Sequence, residues 1–282
     1  QVYPAGSKDR AGRRDGGMIL QVDGIKAHAE TLEGQGETLL LLHGWGPSSV
    51  SLEKHLLPLG RMLKGRFQVT MLDFPGHGDS GMPGKDWGVP EYAEWTLKVM
   101  DQLAIRQTVL VAHSFGGRVA LWLAAHHPER VSRLVLTGCA GIRPKRGLNA
   151  RLRAMLFKIG RAALKTLALI PKYRDRSDRW LNSLRTEFAS SDYLATPEPL
   201  RGSFSKVVRL DLRPILPKIK QPALLVWGER DSATPLWMGK MMQKMMPDCR
   251  LLVYLADDHW AYRNQLARFA NAVDSYLEEA GG

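Results

Sequence analysis

The chain has 282 residues, 44% hydrophobic and 24% charged, which suits one large α/β domain with an insertion and excludes a disordered or fibrous class. No apolar run reaches membrane length, and the two cysteines, Cys139 and Cys249, lie too far apart for a disulfide framework or metal-ligand spacing, so a reduced cytoplasmic protein is expected. The net charge of +12 is local: residues 143–220 carry 19 Lys+Arg against 6 Asp+Glu, whereas the rest is close to neutral, and no nucleic-acid-binding motif accompanies it.

Residues 1–17 are polar and without periodicity, and read as a disordered tail. Patterned sequence begins at Met18, with two short runs separated by Asp23-Gly24, a hairpin turn signal. Thr38–Leu42 is a fully apolar strand that ends in His43-Gly44-Trp45-Gly46-Pro47, a loop whose backbone N–H groups can face a ligand at the carboxyl edge of an open sheet. A helix follows over Leu52–Leu63, then a strand over Phe67–Leu72 and the turn-rich run Asp73 to Ser80, where Asx-type hydrogen bonding explains Asp79 and Ser80 more cheaply than catalysis. A helix over Tyr92–Leu103 leads to the apolar strand Val109–Ala112.

That strand turns at once into a helix beginning near Arg118, with only His113-Ser114-Phe115-Gly116-Gly117 between them. So sharp a turn forces its central residue into a strained backbone conformation and pushes that side chain outward. It also requires small residues two before and two after, and these are Ala112 and Gly116. Ser114 is the residue this elbow presents.

Strand and helix cease to alternate after Val131–Thr137. Residues 142–208 are helical and basic, with Leu152, Met155, Leu156, Ile159, Ala163, Leu167 and Ile170 at helical spacing and Arg151, Lys158, Arg161 and Lys165 opposite. This segment reads as an inserted helical lid; contact of its amphipathic helix with a membrane surface is the less favoured alternative. Alternation resumes with the strand Ala223–Trp227, the loop Gly228-Glu229-Arg230-Asp231, a helix whose methionines suit adaptable packing, the strand Leu251–Leu255 and a closing helix from about Asn264 to Leu277. The core is thus expected over 18–141 and 209–282.

Ser114, Asp231 and His259 each follow an apolar strand, so all three emerge at the carboxyl edge of a parallel sheet. A serine hydroxyl needs an imidazole to take its proton, and a carboxylate to fix that imidazole's tautomer and stabilise its cation. The oxyanion formed on attack needs preorganised donors, and the N–H groups of Trp45 and Phe115 suit that role. Asp257 and Asp258 offer competing carboxylates, but residues beside a histidine rarely reach its far ring nitrogen, so Asp231 is preferred.

These motifs together resemble those of the α/β-hydrolase-fold serine hydrolases, over about Met18 to Leu277: His43-Gly44-Trp45-Gly46, Asp73-Phe74-Pro75-Gly76-His77-Gly78-Asp79-Ser80, the elbow Ala112 to Gly117, Gly228 to Asp231, and His259. The resemblance implies a mostly parallel, doubly wound sheet with an inserted helical lid. It further implies Ser114 as nucleophile, Asp231 as acid, His259 as base, Trp45 and Phe115 as oxyanion donors, and no metal or organic cofactor. The expected reaction is hydrolysis of a small carboxylic ester through an acyl-serine. The alternatives are a carbon–carbon bond hydrolase or thioesterase with the same triad, and a hydrolase-fold receptor with its triad idle. No nucleic-acid partner is expected, and the substrate-binding residues are not legible.

Overall fold

The computed structural model describes residues 3–4, 17–46, 55–144, 148–188 and 191–279. Its contacts divide the chain into two compact units, one comprising Gln1–Ile142 and Gly202–Gly282, the other Arg143–Arg201.

The first unit is built on a sheet with nine strands among the described residues: β1 (Tyr3–Pro4), β2 (Gly17–Val22), β3 (Ile25–Leu32), β4 (Thr38–Leu42), β5 (Gln68–Leu72), β6 (Thr108–His113), β7 (Val131–Thr137), β8 (Ala223–Gly228) and β9 (Cys249–Tyr254). Their spatial order is β1-β2-β3-β5-β4-β6-β7-β8-β9. The first three strands form an antiparallel edge, and everything from β5 to β9 is parallel. β2 and β3 form the hairpin expected at Asp23-Gly24, where both central residues have positive φ (52° and 76°).

Burial on both faces explains the uninterrupted apolar strands. Alternate residues serve opposite cores. Leu40, Leu42, Leu110, Ala112, Leu134, Leu136, Leu225 and Trp227 belong to one. Leu39, Leu41, Val109, Val111, Val135, Leu224 and Val226 belong to the other. The helices that follow the strands in this unit are α1 (Leu57–Leu63), α2 (Val89–Gln102) and α3 (Phe115–His126). The second unit holds α4 (Leu148–Leu167), α5 (Arg174–Phe188) and α6 (Ser191–Ala195). After it come α7 (Arg201–Arg209), α8 (Leu236–Met245), α9 (Ala261–Asn264) and α10 (Leu266–Glu279). The first core takes side chains of α2, α3 and α8, and the second takes those of α1 and α10. Met238, Met242 and Met246 are buried, as a packing role for the methionines requires.

Several expectations need adjustment. The tail is not patternless throughout, because Tyr3–Pro4 pair with Met18–Ile19; positions 1–2 and 5–16 lie outside the described residues. The helix expected over Leu52–Leu63 is described from Leu57, and 52–54 lie outside. α7 falls within the stretch expected to be inserted, yet it groups with the sheet-bearing unit. The Trp87 N–H donates to Ser203 Oγ (2.8 Å), and Val207 is buried in the first core. A helical, basic pattern carries no information about which neighbour a helix chooses. The closing helix is met as α10, with the short α9 placed just before it.

The second unit, taken alone, is helical, with α4 packed against α5. The apolar stripe of α4, which periodicity would bury, stands open: Leu152, Met155, Leu156 and Ile159 are 50–58% exposed. No helix among the described residues is long and apolar enough to cross a membrane.

Candidate active site

The elbow takes the strained form that its sequence demands. Ser114 sits at φ 51°, ψ −107°, outside the regions open to ordinary L-residues. Its neighbours hold it there: Ser114 N–H donates to Thr137 O (3.1 Å), and Ser114 O accepts from Ala140 N–H (3.1 Å). Strand and helix approach so closely that a Cβ on Gly116 would stand 2.5 Å from Leu42 O. Ala112 is absorbed in the core without difficulty, so position 116 is the tighter of the two small sites.

The loop after β4 runs against this elbow. Gly116 N–H donates to His43 O (3.0 Å), and a Cβ on Gly44 would meet Ser114 Cβ at 3.3 Å. His43 is a buried strut. Its Nε2 accepts the Phe74 N–H (3.0 Å), which leaves Nδ1–H to donate to Gly44 O (2.7 Å). The rings of Trp45 and Phe115 meet edge-on at 5.1 Å, so the two residues expected to supply oxyanion donors are packed together. Phe115 is the first residue of α3, and a first-turn N–H has no partner within its own helix.

Asp231 and His259 come together directly. His259 Nδ1–H donates to Asp231 Oδ2 at 2.8 Å, with the carboxylate fully buried and the imidazole 16% exposed. With Nδ1 so engaged, the neutral ring's lone pair lies on Nε2. Asp231 also accepts the Ala233 and Thr234 N–H groups on Oδ1 (2.9 and 2.8 Å) and the Thr234 hydroxyl on Oδ2 (2.8 Å). Burial pushes the Asp231 pKa up. The hydrogen bond and charge of His259, with the donors of Thr234, outweigh it and hold the carboxyl below its usual range. The group is an anion at neutral pH.

The competing carboxylates turn elsewhere. Asp257 accepts from Asn264 Nδ2 (3.0 Å) and Gln265 Nε2, and Asp258 from Trp260 N–H (2.8 Å). They secure the start of the closing helices and leave the histidine to Asp231. The Asp73 to Ser80 run is likewise structural: Asp73 Oδ2 accepts His28 Nδ1–H (2.7 Å) and Asp79 N–H (3.1 Å), and Ser80 Oγ–H donates to Asp73 O (2.7 Å).

Three supporting residues escaped sequence reasoning. Thr234 Oγ1 lies within hydrogen-bonding distance of Asp231 Oδ2, Gly138 O (3.0 Å) and His259 Nδ1 (3.2 Å); the Asp-x-x-Thr spacing after β8 was its signal. Gly138, at φ 48°, leaves room for the pair, since a Cβ there would stand 3.0 Å from His259 Nδ1. His113 couples the elbow to the histidine loop. Its Nε2–H donates to His259 O (3.1 Å), and the two rings lie 4.6 Å apart. No sequence pattern marks that bond.

Three buried histidines around the elbow fix a pH response. Burial lowers the pKa of His43 despite the Asp73 charge, brings His77 to about 3, and holds His113 well below its ordinary value, with neighbouring His259 adding to the effect. In the unfolded chain each titrates near ~6.5. Protons therefore bind the unfolded state first as pH falls below that value, and stability drops by up to roughly 1.4 kcal/mol per pH unit for each histidine. Asp231 adds a loss of the same sign only lower, as pH falls below the ordinary carboxylate range. Thermal melting followed from pH 7 to pH 5 is expected to fall steeply across this window. A flat profile there would contradict the buried neutral histidines.

A conserved-sequence description of the alpha/beta hydrolase fold matches residues 37–264, and the chain belongs to that family. It is a hydrolase of this fold with a mostly parallel sheet. Among its relatives, the 2-hydroxymuconate semialdehyde hydrolase of Pseudomonas putida is 29% identical over 88% of this chain and 89% of its own length. The 2-hydroxy-6-oxo-6-phenylhexa-2,4-dienoate hydrolase of Burkholderia cepacia is 27% identical over 81% of this chain and 83% of its own. The solved structure of a meta-cleavage product hydrolase from Pseudomonas fluorescens IP01 superposes with a TM-score of 0.69 at 21% identity, covering 94% of this chain and 98% of that one, and shares the fold.

Proposed function

We propose that this protein is a serine hydrolase that splits a carbon–carbon bond beside a ketone in a small unsaturated oxo acid. Ser114 acts as nucleophile, His259 as base and then acid, Asp231 as the buried anion, and the N–H groups of Trp45 and Phe115 as oxyanion donors. The observation that carries the triad is the 2.8 Å bond from His259 to a fully buried Asp231 that accepts four hydrogen bonds, on the same sheet edge as a serine held at φ 51°. The choice of bond is supported by relatives named as hydrolases of 2-hydroxy-6-oxo dienoates and muconate semialdehydes over most of both chains.

In the proposed reaction the substrate's 2-enol first becomes a ketone by moving its O–H proton to the carbon beside the 6-oxo group, which makes that carbon tetrahedral and able to leave as a dienolate. Ser114 Oγ then adds to the 6-oxo carbon while its own proton passes to His259 Nε2. The oxyanion forms against the two backbone N–H groups. Its collapse breaks the carbon–carbon bond, the departing carbanion is delocalised into the conjugated acid, and the imidazolium returns the proton to it. Water, deprotonated by His259, then releases the acyl group as a carboxylic acid. An ester differs only in its leaving group, an alkoxide in place of the carbanion, so the triad by itself does not choose between the two bonds.

Substrate competition separates the two. Turnover of a 2-hydroxy-6-oxo-dienoate, followed by loss of its dienol absorbance, is expected to exceed that of p-nitrophenyl esters by about 10²-fold or more in kcat/KM. The reverse ratio would assign the ester reaction, and turnover of neither would favour a receptor.

A further inference from the structure

The second unit carries a surface that includes none of the residues assigned above to the proposed reaction. Residues 143–201 hold 14 Lys+Arg against 5 Asp+Glu, most of the chain's net charge of +12 in about a fifth of its length. On α4, Leu152, Met155, Leu156 and Ile159 follow i, i+3, i+4, i+7 spacing and so share one face, all at least half exposed. Lys158 and Arg161 project from the flank and back of the same helix, both exposed. Just beyond it Leu169 is 79% exposed, and Ile170 is half exposed.

The aromatic residues that follow are of the interfacial kind. Tyr173 and Trp180 are both exposed, and each carries a cation: Lys172 Nζ lies 5.8 Å from the Tyr173 ring and Arg176 Cζ 4.8 Å from that of Trp180. An open stripe of leucine, isoleucine and methionine contributes nothing to binding a nucleic-acid backbone, which basic side chains alone would serve. Apolar stripe, surrounding cations and exposed Tyr/Trp together match the requirements of an anionic bilayer: acyl chains for the stripe, phosphates for the cations, the headgroup zone for the aromatics. No described helix is built to span a membrane, so the contact is with its surface.

We infer that the unit Arg143–Arg201 docks the protein peripherally on anionic phospholipid membranes through the apolar face of α4 and the cations around it. This stands apart from the proposed reaction and holds whichever bond is cleaved.

The test is sedimentation of the full chain with phosphatidylcholine vesicles, with and without about 30% phosphatidylglycerol. Anionic vesicles are expected to bind about tenfold more protein or better, and high salt to remove most of it. Leu152→Ser combined with Leu156→Ser and Ile159→Ser should lower binding about tenfold, as should Lys158→Glu with Lys172→Glu. All these side chains are exposed, and thermal melting verifies that the variants fold. As an independent readout, brominated lipid should quench the wild type more than Trp180→Phe. Equal binding to both vesicle types, no binding to either, or unaltered binding by the apolar variants would overturn the inference. Capture of an oligonucleotide without vesicle binding would do the same, and would assign the basic surface to nucleic acid.

Discussion

Replacing Ser114 with alanine is expected to lower kcat by roughly 10⁴–10⁶-fold, because the remaining groups can polarise a carbonyl but cannot form the acyl intermediate. Glycine at the same position should be equally inactive, yet the protein should become more stable. A non-glycine residue at φ 51°, ψ −107° costs on the order of 1–3 kcal/mol. Glycine escapes that strain while adding about 0.5–1 kcal/mol of unfolded-state entropy. The difference favours Ser114→Gly by about 1 kcal/mol, readable as a higher urea midpoint. Loss of stability in both variants would mean that the serine side chain, and not the chemistry, is what the elbow was shaped around.

Asp231→Asn is the second large effect, about 10⁴-fold in kcat with little change in melting temperature. Orientation decides this. The Ala233 and Thr234 N–H groups both donate to Oδ1, so the carboxamide oxygen of asparagine takes that place and its NH₂ is turned toward His259 Nδ1. An NH₂ group donates, so Nδ1 must accept, and the ring proton moves to Nε2, where it blocks proton transfer from serine. Thr234 Oγ1 can then donate to Gly138 O and accept from the amide, which keeps the fold satisfied. Asp257→Asn and Asp258→Asn should each leave kcat within about threefold, since their carboxylates serve Asn264, Gln265 and the Trp260 N–H. A larger loss from either than from Asp231→Asn would reassign the acid.

The sheet and the strand-end residues were legible because each rests on a local rule. Strands buried on both faces must be apolar throughout, a strand that turns at once into a helix must have small flanking residues, and Asp-Gly supplies two positive φ values. Those rules locate the elbow at Ser114 and the hairpin without tertiary information and put Asp231 and His259 just after apolar strands; the roles expected of the three came from the family resemblance. What stayed hidden depends on partners distant in sequence. The bond from His113 to His259 O joins residues 146 apart, and α7 follows its contacts with Trp87 rather than its pattern. The open stripe on α4 was hidden for the opposite reason: periodicity reveals that a helix has an apolar face but not whether the protein covers it.

The proposed reaction depends above all on Ser114 being an activated nucleophile. Incubation with a fluorophosphonate, followed by peptide mass spectrometry, measures this directly and needs no knowledge of the substrate. A single adduct on Ser114, slowed by orders of magnitude in His259→Ala and Asp231→Asn, is the predicted result. An unmodified Ser114, or an adduct there that forms equally fast without His259, would contradict it.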